Sequence, residues 1–363
     1  MQRLVLCSLL VALLPTWTAA QDSTANAVLD RIATYLDKST IVVGYFDLKN
    51  VDPEKSVASL REIVDGSLKK SDMPKEMKDM LQPMFSMGFD AFENELKDGD
   101  SGKQWRQLQS SGMEGVYLIV NSMTMAQSPT RVLCVFDPST ETAKIDAMQE
   151  QLAAHQPYSR FQQKDGFIIV DSFSSTMTDA QVQDAEKFLV TFDKSRKPLI
   201  RPEFVTGMER TKSAPFKIVF APDAALKGMI QMFYPMAPPD VQETLPVKTI
   251  FAGVNWISLG IDINRWIIDL NIKGESPEAA QALYDAVIKL KDDTMTQMSQ
   301  DFGSSKELDA QIIPFIPKVQ EDRLRLTINQ KFLDDNLGNI LQYALPAIMA
   351  AQSGGLPLPI PVQ

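Results

Sequence analysis

The sequence predicts an α+β fold of two tandem β-α-β-β-α-β repeats, each with a trailing helix, as antiparallel sheets with helices on one face. Each half of the chain opens on an apolar, β-rich run that is followed by a capped helix. Each half then contains a hairpin pattern and closes on a second capped helix, a strand and a further helical segment. We therefore expect a signal peptide at 1–20, repeats at 21–200 and 201–350, and a Pro-rich tail at 351–363.

The first repeat begins with an amphipathic pattern at 25–38, in which Val28, Ile32, Tyr35 and Leu36 share one side. The β-rich run 41–47 predicts a strand. Asp52 and Pro53 form an N-cap with proline at the first helical position, so a helix is expected to follow. Its predicted core face has helical spacing and consists of Val57, Leu60, Val64 and Leu68.

The rest of the first repeat contains a hairpin, a helix, a strand and a final helix. The runs 115–122 and 131–136 predict the hairpin, joined by a loop that contains Pro129. Asp137 precedes a helix that carries Ile145, Met148 and Leu152. The apolar run 167–170 predicts the strand, and 179–193 predicts the last helix.

The second repeat shows the same order. A strand at 216–221 leads into a helix that starts at Pro222 and Asp223 and carries Leu226, Ile230 and Phe233. A tight hairpin joins 255–263 to 266–273, and its alternation predicts one face on the core and one in water. The predicted core face is Trp266, Ile268, Leu270 and Ile272, and the predicted solvent face is Asp269, Asn271 and Lys273. A helix capped by Ser276, a strand at 324–328 and a helix near 334–350 complete the repeat.

The N-terminus has the pattern of a secretory signal peptide. Arg3 precedes an apolar run at 4–14, which Pro15 and the small residues 18–20 follow, so cleavage is expected after Ala20. We expect an exported protein, periplasmic or extracellular. No other run is apolar for long enough to predict a transmembrane segment.

The charge of the chain is acidic. Loss of Arg3 with the signal peptide takes the net charge from −10 to about −11. Nucleic-acid binding depends on excess positive charge, so no nucleic-acid partner is expected.

The inventory of catalytic side chains is short. His155 is the single histidine, and Cys134 is the single cysteine outside the signal peptide, so a polyhistidine zinc site is excluded. No G-x-S-x-G nucleophile motif is present. A glycosidase needs only two acids at the right separation, and acids such as Glu93, Glu95 and Asp98 leave that alternative open. We expect no cofactor and no metal.

Methionine is the feature that points to a binding role. The candidate binding residues Met73, Met77, Met80, Met84 and Met87 recur at spacings of four and three, and Met229, Met232 and Met236 repeat the pattern more weakly. Pro83 is expected to kink or break the helix near residue 82. The stripe has three interpretations: core filling, a plastic apolar groove, and thioether binding of Cu(I).

The stretch from Val42 to Pro53, VVGYFDLKNVDP, resembles the start of large exported bacterial proteins of unknown function. In those proteins a V-x-x-x-D-L-x-x-x-D strand-turn-helix follows the signal peptide. The resemblance implies a bacterial envelope setting and carries no activity and no functional residues.

The sequence thus favours an exported, non-enzymatic binding or interaction protein of the bacterial envelope. Its partner would be an unknown protein or an apolar small molecule at the methionine-rich segment. Two alternatives stay open: a hydrolase of envelope polymers with an unidentified carboxylate pair, and a structural or assembly subunit.

Overall fold

The computed structural model describes residues 25–122, 130–155, 159–164, 166–173, 177–211, 214–236, 247–302 and 313–338. The predicted signal peptide, the hairpin loop with Pro129 and the Pro-rich tail lie outside these residues.

A ten-stranded antiparallel sheet forms the centre of the protein and confirms the α+β class. Its strands are β1 (Thr40–Asp47), β2 (Met113–Asn121), β3 (Thr130–Phe136), β4 (Ser159–Lys164), β5 (Phe167–Ser172), β6 (Phe216–Phe220), β7 (Val254–Asp262), β8 (Ile267–Gly274), β9 (Lys318–Gln320) and β10 (Arg323–Ile328). They lie in the order β4-β5-β3-β2-β1-β6-β7-β8-β10-β9. The first five and the last five strands therefore have the same relative order, and β1 pairs with β6 between them.

Helices fill most connections. They are α1 (Ala25–Asp30), α2 (Pro53–Lys70), α3 (Lys75–Asp98), α4 (Asp100–Ser110), α5 (Thr142–His155), α6 (Asp179–Ser195), α7 (Pro202–Arg210), α8 (Ala224–Phe233), α9 (Val247–Gly253) and α10 (Pro277–Phe302). Short 3₁₀ turns occupy Ala33–Tyr35, Tyr234–Met236 and Ile313–Phe315, and residues 330–338 are also helical.

Three of the predicted helix caps are confirmed, whereas Asp137 does not cap α5, which begins at Thr142. The Asp52 carboxylate accepts a hydrogen bond from the Lys55 amide at 3.1 Å, and Asp223 accepts one from the Leu226 amide at 2.7 Å. The Ser276 hydroxyl caps α10 in the same way. Each cap satisfies an N–H group that the first helical turn leaves without an intrahelical partner.

The connection from β1 to β2 differs from the predicted β-α-β order, in which one helix would cross the sheet and the two strands that it links would run parallel. The two strands are adjacent and antiparallel, with Asp47 opposite Gly115. Three helices separate them, and α2 packs on α3 while α3 packs on α4. The chain consequently re-enters the sheet at the end where it left, instead of crossing the sheet through a single helix.

The sequence analysis missed the two edge strands β4 and β9. Each forms a hairpin with the strand that follows it, β5 and β10 respectively. β4 reads Ser-Arg-Phe-Gln-Gln-Lys and β9 reads Lys-Val-Gln, so neither has an apolar run. The signal for the first hairpin was the Asp165-Gly166 dipeptide, since Gly166 has a φ of +79°.

Helices cover both faces of the first half of the sheet, which corrects the prediction that they lie on one face. Leu133 and Cys134 are consecutive in β3 and belong to different core clusters, as do Ile168 and Ile169 in β5. Consecutive strand residues point to opposite faces. One cluster includes Leu29 of α1 and Phe204 and Met208 of α7, and the other includes Trp105 of α4 and Met148 of α5.

Strand β8 also departs from the predicted alternation. Asn271, assigned to the solvent face, is buried, whereas Ile268, Leu270 and Ile272 are only half-buried. Trp266 lies in the turn with a φ of +47° and is not part of the strand. Asn271 is buried because its face carries Ser258 of β7 beside it, on the side of the sheet that α7 covers.

Candidate binding site on a methionine-rich helix

Helix α3 separates the five candidate methionines into two groups. Met73 precedes the helix and is buried, and Met77 is half-buried beside Leu68 and Leu81 in a small cluster with α2. Met80, Met84 and Met87 are exposed by 46%, 49% and 72%. The stripe is therefore partly core and partly surface.

The exposed methionines share one side of α3. Their spacings of four and three residues place them along a single line of the helix, which Ala91 continues. The opposite stripe, which contains Leu81, Phe85 and Phe89, packs against α2. The helix is thus apolar on two separate stripes, and only one of them is covered by the described residues.

Helix α3 runs through Pro83 without ending, so of the two predicted effects of this proline, a kink or a break, the break does not occur. Proline removes the hydrogen bond that the carbonyl of Asp79, four residues earlier, would accept. Asp79 is exposed, so water can hydrogen-bond to this carbonyl. The exposed stripe consequently stays on one continuous helix.

Polar contacts attach α3 to its two neighbouring helices, α2 and α4. The Arg61 guanidinium of α2 pairs with Asp90 at 2.7 Å and Glu93 at 3.0 Å, and it lies over the Phe89 ring. These acids raise the pKa of Arg61, mainly through the hydrogen bond to Asp90. At the C-terminus of α3, Arg106 donates to the Leu96 carbonyl at 2.9 Å.

The charges on α3 are mostly acidic. The helix carries six acidic and three basic side chains, and Glu76, Asp79 and Asp98 are exposed. A hydrogen bond from the Ser101 amide lowers the pKa of Glu95, which keeps it ionised. The exposed surface of α3 therefore carries acidic side chains as well as the methionine stripe.

A second apolar surface lies at the end of α8, in the connection between β6 and β7. Met232 is 61% exposed, and Met236 in the following 3₁₀ turn is 77% exposed. Phe233, predicted on the core face, is 56% exposed because the core contact of α8 is made near its start, at Leu226. In the described residues, seven of the eleven exposed large apolar side chains lie on α3 or at this end of α8.

A group of titratable side chains, which the sequence analysis missed, lies where β1 ends. Glu114 pairs with Arg31 at 2.5 Å and also with Lys49. Burial opposes ionisation of Glu114, but these cations outweigh it and lower its pKa. Burial raises the pKa of Asp47 and lowers that of Lys217. Asp47, Glu114 and Lys217 come together because they lie on the adjoining strands β1, β2 and β6, a tertiary pairing that the sequence did not indicate.

A cavity of about 370 Å³ lies between the start of α2 and α4. Its polar lining includes Lys49, Arg106 and Gln109. Arg106 donates to Leu96, Gln109 donates to Val51 and Lys49 donates to Asp137. These three donors are thus committed to protein acceptors, whereas the buried indole N–H of Trp105, which also lines the cavity, has no hydrogen-bond partner among the described residues.

The remaining candidate residues from the sequence do not come together in one site. His155 is the last residue of α5. Cys134 is buried in the sheet, where burial raises its thiol pKa to about 12. Across the described ranges, no group of three His, Cys, Asp or Glu side chains is arranged to hold a metal ion. Within the same ranges, no helix is both long and apolar enough to span a bilayer.

Comparison with known proteins assigns no family. No family model matches the chain, and no curated protein matches it. Among solved structures, crystal form III of TP0453, a treponemal envelope protein, is similar at a TM-score of 0.30 and 11% identity over 85% of this chain and 97% of that chain. Form IV gives 0.30 and 10% over 86% and 96%, and form I gives 0.29 and 11% over 85% and 96%. Scores at this level transfer neither a fold nor a function.

Proposed function

We propose that this chain is an exported, non-enzymatic interaction protein of the bacterial envelope. Its exposed α3 stripe of Met80, Met84 and Met87 inserts into an apolar groove of a protein partner. The observation that supports this function is the exposure of the three side chains on one line of a folded helix. Methionine side chains adapt their shape to varied apolar partners.

The shape of the surface favours a protein over an apolar small molecule. Small molecules bind in concave sites that bury most of their surface. The methionine stripe stands on the outer side of a helix, so it is convex, and a convex helix stripe is complementary to a groove. The acidic side chains along α3 are complementary to a groove with a basic rim.

The test measures the affinity of the mature chain for a partner protein. The partner is first isolated from the bacterial envelope and is then purified on its own. The double variant Met84→Glu/Met87→Glu puts two charges into the apolar contact, and we expect affinity to fall about 100-fold or more. Gln82→Glu changes an exposed α3 residue outside the stripe and serves as the matched control, with an effect of about twofold at most.

Calorimetry of the same complex separates an apolar contact from a purely electrostatic one. Burial of the methionines predicts a negative heat-capacity change on binding. A complex that tolerates the double glutamate variant, or that forms without this heat-capacity change, contradicts the proposed contact.

We also propose that the two halves arose by duplication and that residues 1–20 direct export. The identical strand order of the halves supports the duplication. N-terminal sequencing of the protein recovered from the periplasm tests the export, with Gln21 as the expected first residue.

The alternative of a hydrolase gains one specific candidate pair, Asp47 and Glu114. Their surroundings shift their pKa values in opposite directions, which is the arrangement of an acid and an ionised carboxylate. Loss of polymer hydrolysis in Asp47→Asn, with the fold retained, is the result that would favour this alternative.

A further inference from the structure

The methionines of the described residues span a range of exposure, in which Met77, Met177 and Met229 are half-buried and lie between two extreme classes. Met80, Met84 and Met87 on α3 and Met232 and Met236 near α8 are between 46% and 77% exposed. The methionines of the core are at most 4% exposed: Met73, Met113, Met148 and Met208. Solvent therefore reaches the first class and is excluded from the second.

We propose that Met80, Met84 and Met87 form a methionine-sulfoxide modification site through which a hydroperoxide removes the apolar character of the α3 stripe. The thioether sulfur attacks one peroxide oxygen, an S–O bond forms and the O–O bond breaks. The sulfur is oxidised by two electrons, and hydrogen peroxide is reduced to water. The consequence for a partner rests on the proposed function, whereas the modification itself does not.

The arrangement of α3 allows the surface to change while the fold is retained. Three sulfoxides along one line convert an apolar stripe into a polar one, because each carries a strongly polar S–O group. The packed stripe of Leu81, Phe85 and Phe89 lies against α2, and the methionines in that cluster are buried Met73 and half-buried Met77. Met77 at its margin is half-buried, so its oxidation is expected to be slower than that of Met87.

The acidic side chains of α3 do not hinder the approach of hydrogen peroxide, because this molecule is uncharged and is not repelled by Asp79 or Asp98. Peroxide reaches sulfur according to exposure. The order of oxidation on α3 should therefore follow the exposed fractions, with Met87 at 72% ahead of Met80 at 46%.

The first experiment is graded hydrogen peroxide treatment of the folded mature chain, followed by peptide mass spectrometry. We expect one added oxygen on Met80, Met84 and Met87 at rates at least about fivefold above those of Met73 and Met208. The circular dichroism melting curve should stay unchanged at that dose. Equal rates for exposed and buried methionines, or unmodified α3 methionines, would overturn the modification site.

The second experiment measures the apolar surface directly with anilinonaphthalene sulfonate, a dye whose fluorescence rises on apolar protein surface. Peroxide should lower the dye signal of the wild type. The triple variant Met80→Leu/Met84→Leu/Met87→Leu keeps the apolar volume and has no oxidisable sulfur on the stripe, so its loss of signal should be smaller. An equal loss in both proteins would overturn the role of these three residues.

A matched variant, Met232→Leu/Met236→Leu, removes the other exposed methionine sulfurs of the described residues and should lose dye signal on oxidation as the wild type does. Neither readout uses a partner protein. Failure of the proposed partner contact would appear in the glutamate variants alone, and failure of the modification site would appear in the peptide map alone.

Discussion

Met80 and Leu81 are consecutive residues of α3, yet the Met80 side chain is 46% exposed and the Leu81 side chain is fully buried. Leu81 belongs to the cluster that joins α3 to Val64 and Leu68 of α2. The helix thus carries the stripe that packs on α2 and the exposed methionine stripe on different sides.

We predict opposite outcomes for alanine at these two positions. Leu81→Ala leaves a cavity between α3 and α2 and should lower the free energy of unfolding by about 2–5 kcal/mol. Met80→Ala removes surface side-chain atoms and should change it by no more than about 0.5 kcal/mol. Urea denaturation followed by circular dichroism measures both. Similar losses for the two variants would mean that Met80 is also a core residue.

The sequence was sufficient for elements that carry their own periodicity. Helix α2 begins at the predicted Pro53, and the β7–β8 hairpin lies within a residue or so of its predicted bounds. The polar strand β4 could not be found in this way, because an edge strand is specified by its hydrogen-bonded neighbour and not by an apolar run. The antiparallel pairing of β1 with β2 depends on how three helices pack, and local pattern does not encode that packing.

The sequence predicted the stripe of methionines, but it could not predict which of them are exposed. Spacing of four and three residues identified the five methionines. It could not show that α3 begins at Lys75, which leaves Met73 outside the helix and in the core. The partial burial of Met77 and the exposure of Met84 depend on the position of α2, which is a tertiary contact.

A pair of glycines gives the second prediction. A Cβ atom at Gly102, in the first turn of α4, would overlap the carbonyl oxygen of Leu96 in α3. Gly102→Ala should therefore force α4 away from α3 and cost about 2 kcal/mol or more.

The control for this prediction is Gly88→Ala. Gly88 is a helical glycine of α3 with no atom within 4 Å of an added Cβ. Alanine there should raise the free energy of unfolding by about 0.5–1 kcal/mol, since it restricts the unfolded chain and favours the helix. A destabilising Gly88→Ala would indicate that the surface stripe is covered.

The tyrosines of the sheet give a prediction for alkaline pH. Burial, followed by the charge of Asp47, raises the pKa of Tyr45 above its ordinary value of 10.0, and burial also raises that of Tyr117. The unfolded chain ionises these groups near pH 10.0 and the folded chain does not. Their contribution to stability is thus present below pH 10.0 and is lost as pH rises above it.

We expect tyrosinate absorbance from these residues to appear together with loss of the circular dichroism signal. Tyr45→Phe should weaken the dependence of stability on pH above 10.0. Tyr117→Phe should do the same and also cost about 1 kcal/mol at neutral pH, because the Tyr117 hydroxyl donates to the Val28 carbonyl at 3.0 Å. Tyrosinate formation well before unfolding would contradict both expectations.

The last prediction concerns Arg131, which joins β3 to β5 and α6. Its guanidinium binds Asp171 at 2.7 and 3.0 Å and Asp193 at 2.7 and 2.9 Å. Arg131→Met should cost about 3–5 kcal/mol, because Asp171 has only 2% of its side chain exposed and would lose its cation. The double variant Arg131→Met/Asp171→Leu should recover much of this loss, since no buried charge then remains unpaired.

Two further measurements test Arg131: the pH dependence of stability, and the comparison with an exposed ion pair. Burial opposes ionisation of Asp193, but Arg131 outweighs it and lowers the pKa of Asp193. This stabilisation is present above the unfolded pKa of about 3.9 and is lost as pH falls below it, so Arg131→Met should flatten the acid limb of the stability curve. Lys187→Met breaks the exposed 3.1 Å pair with Asp184 and should change stability by at most about 0.5 kcal/mol. Equal costs for the two variants would mean that burial of the Arg131 pair adds nothing, because the surface pair has the same charges and differs in its access to water.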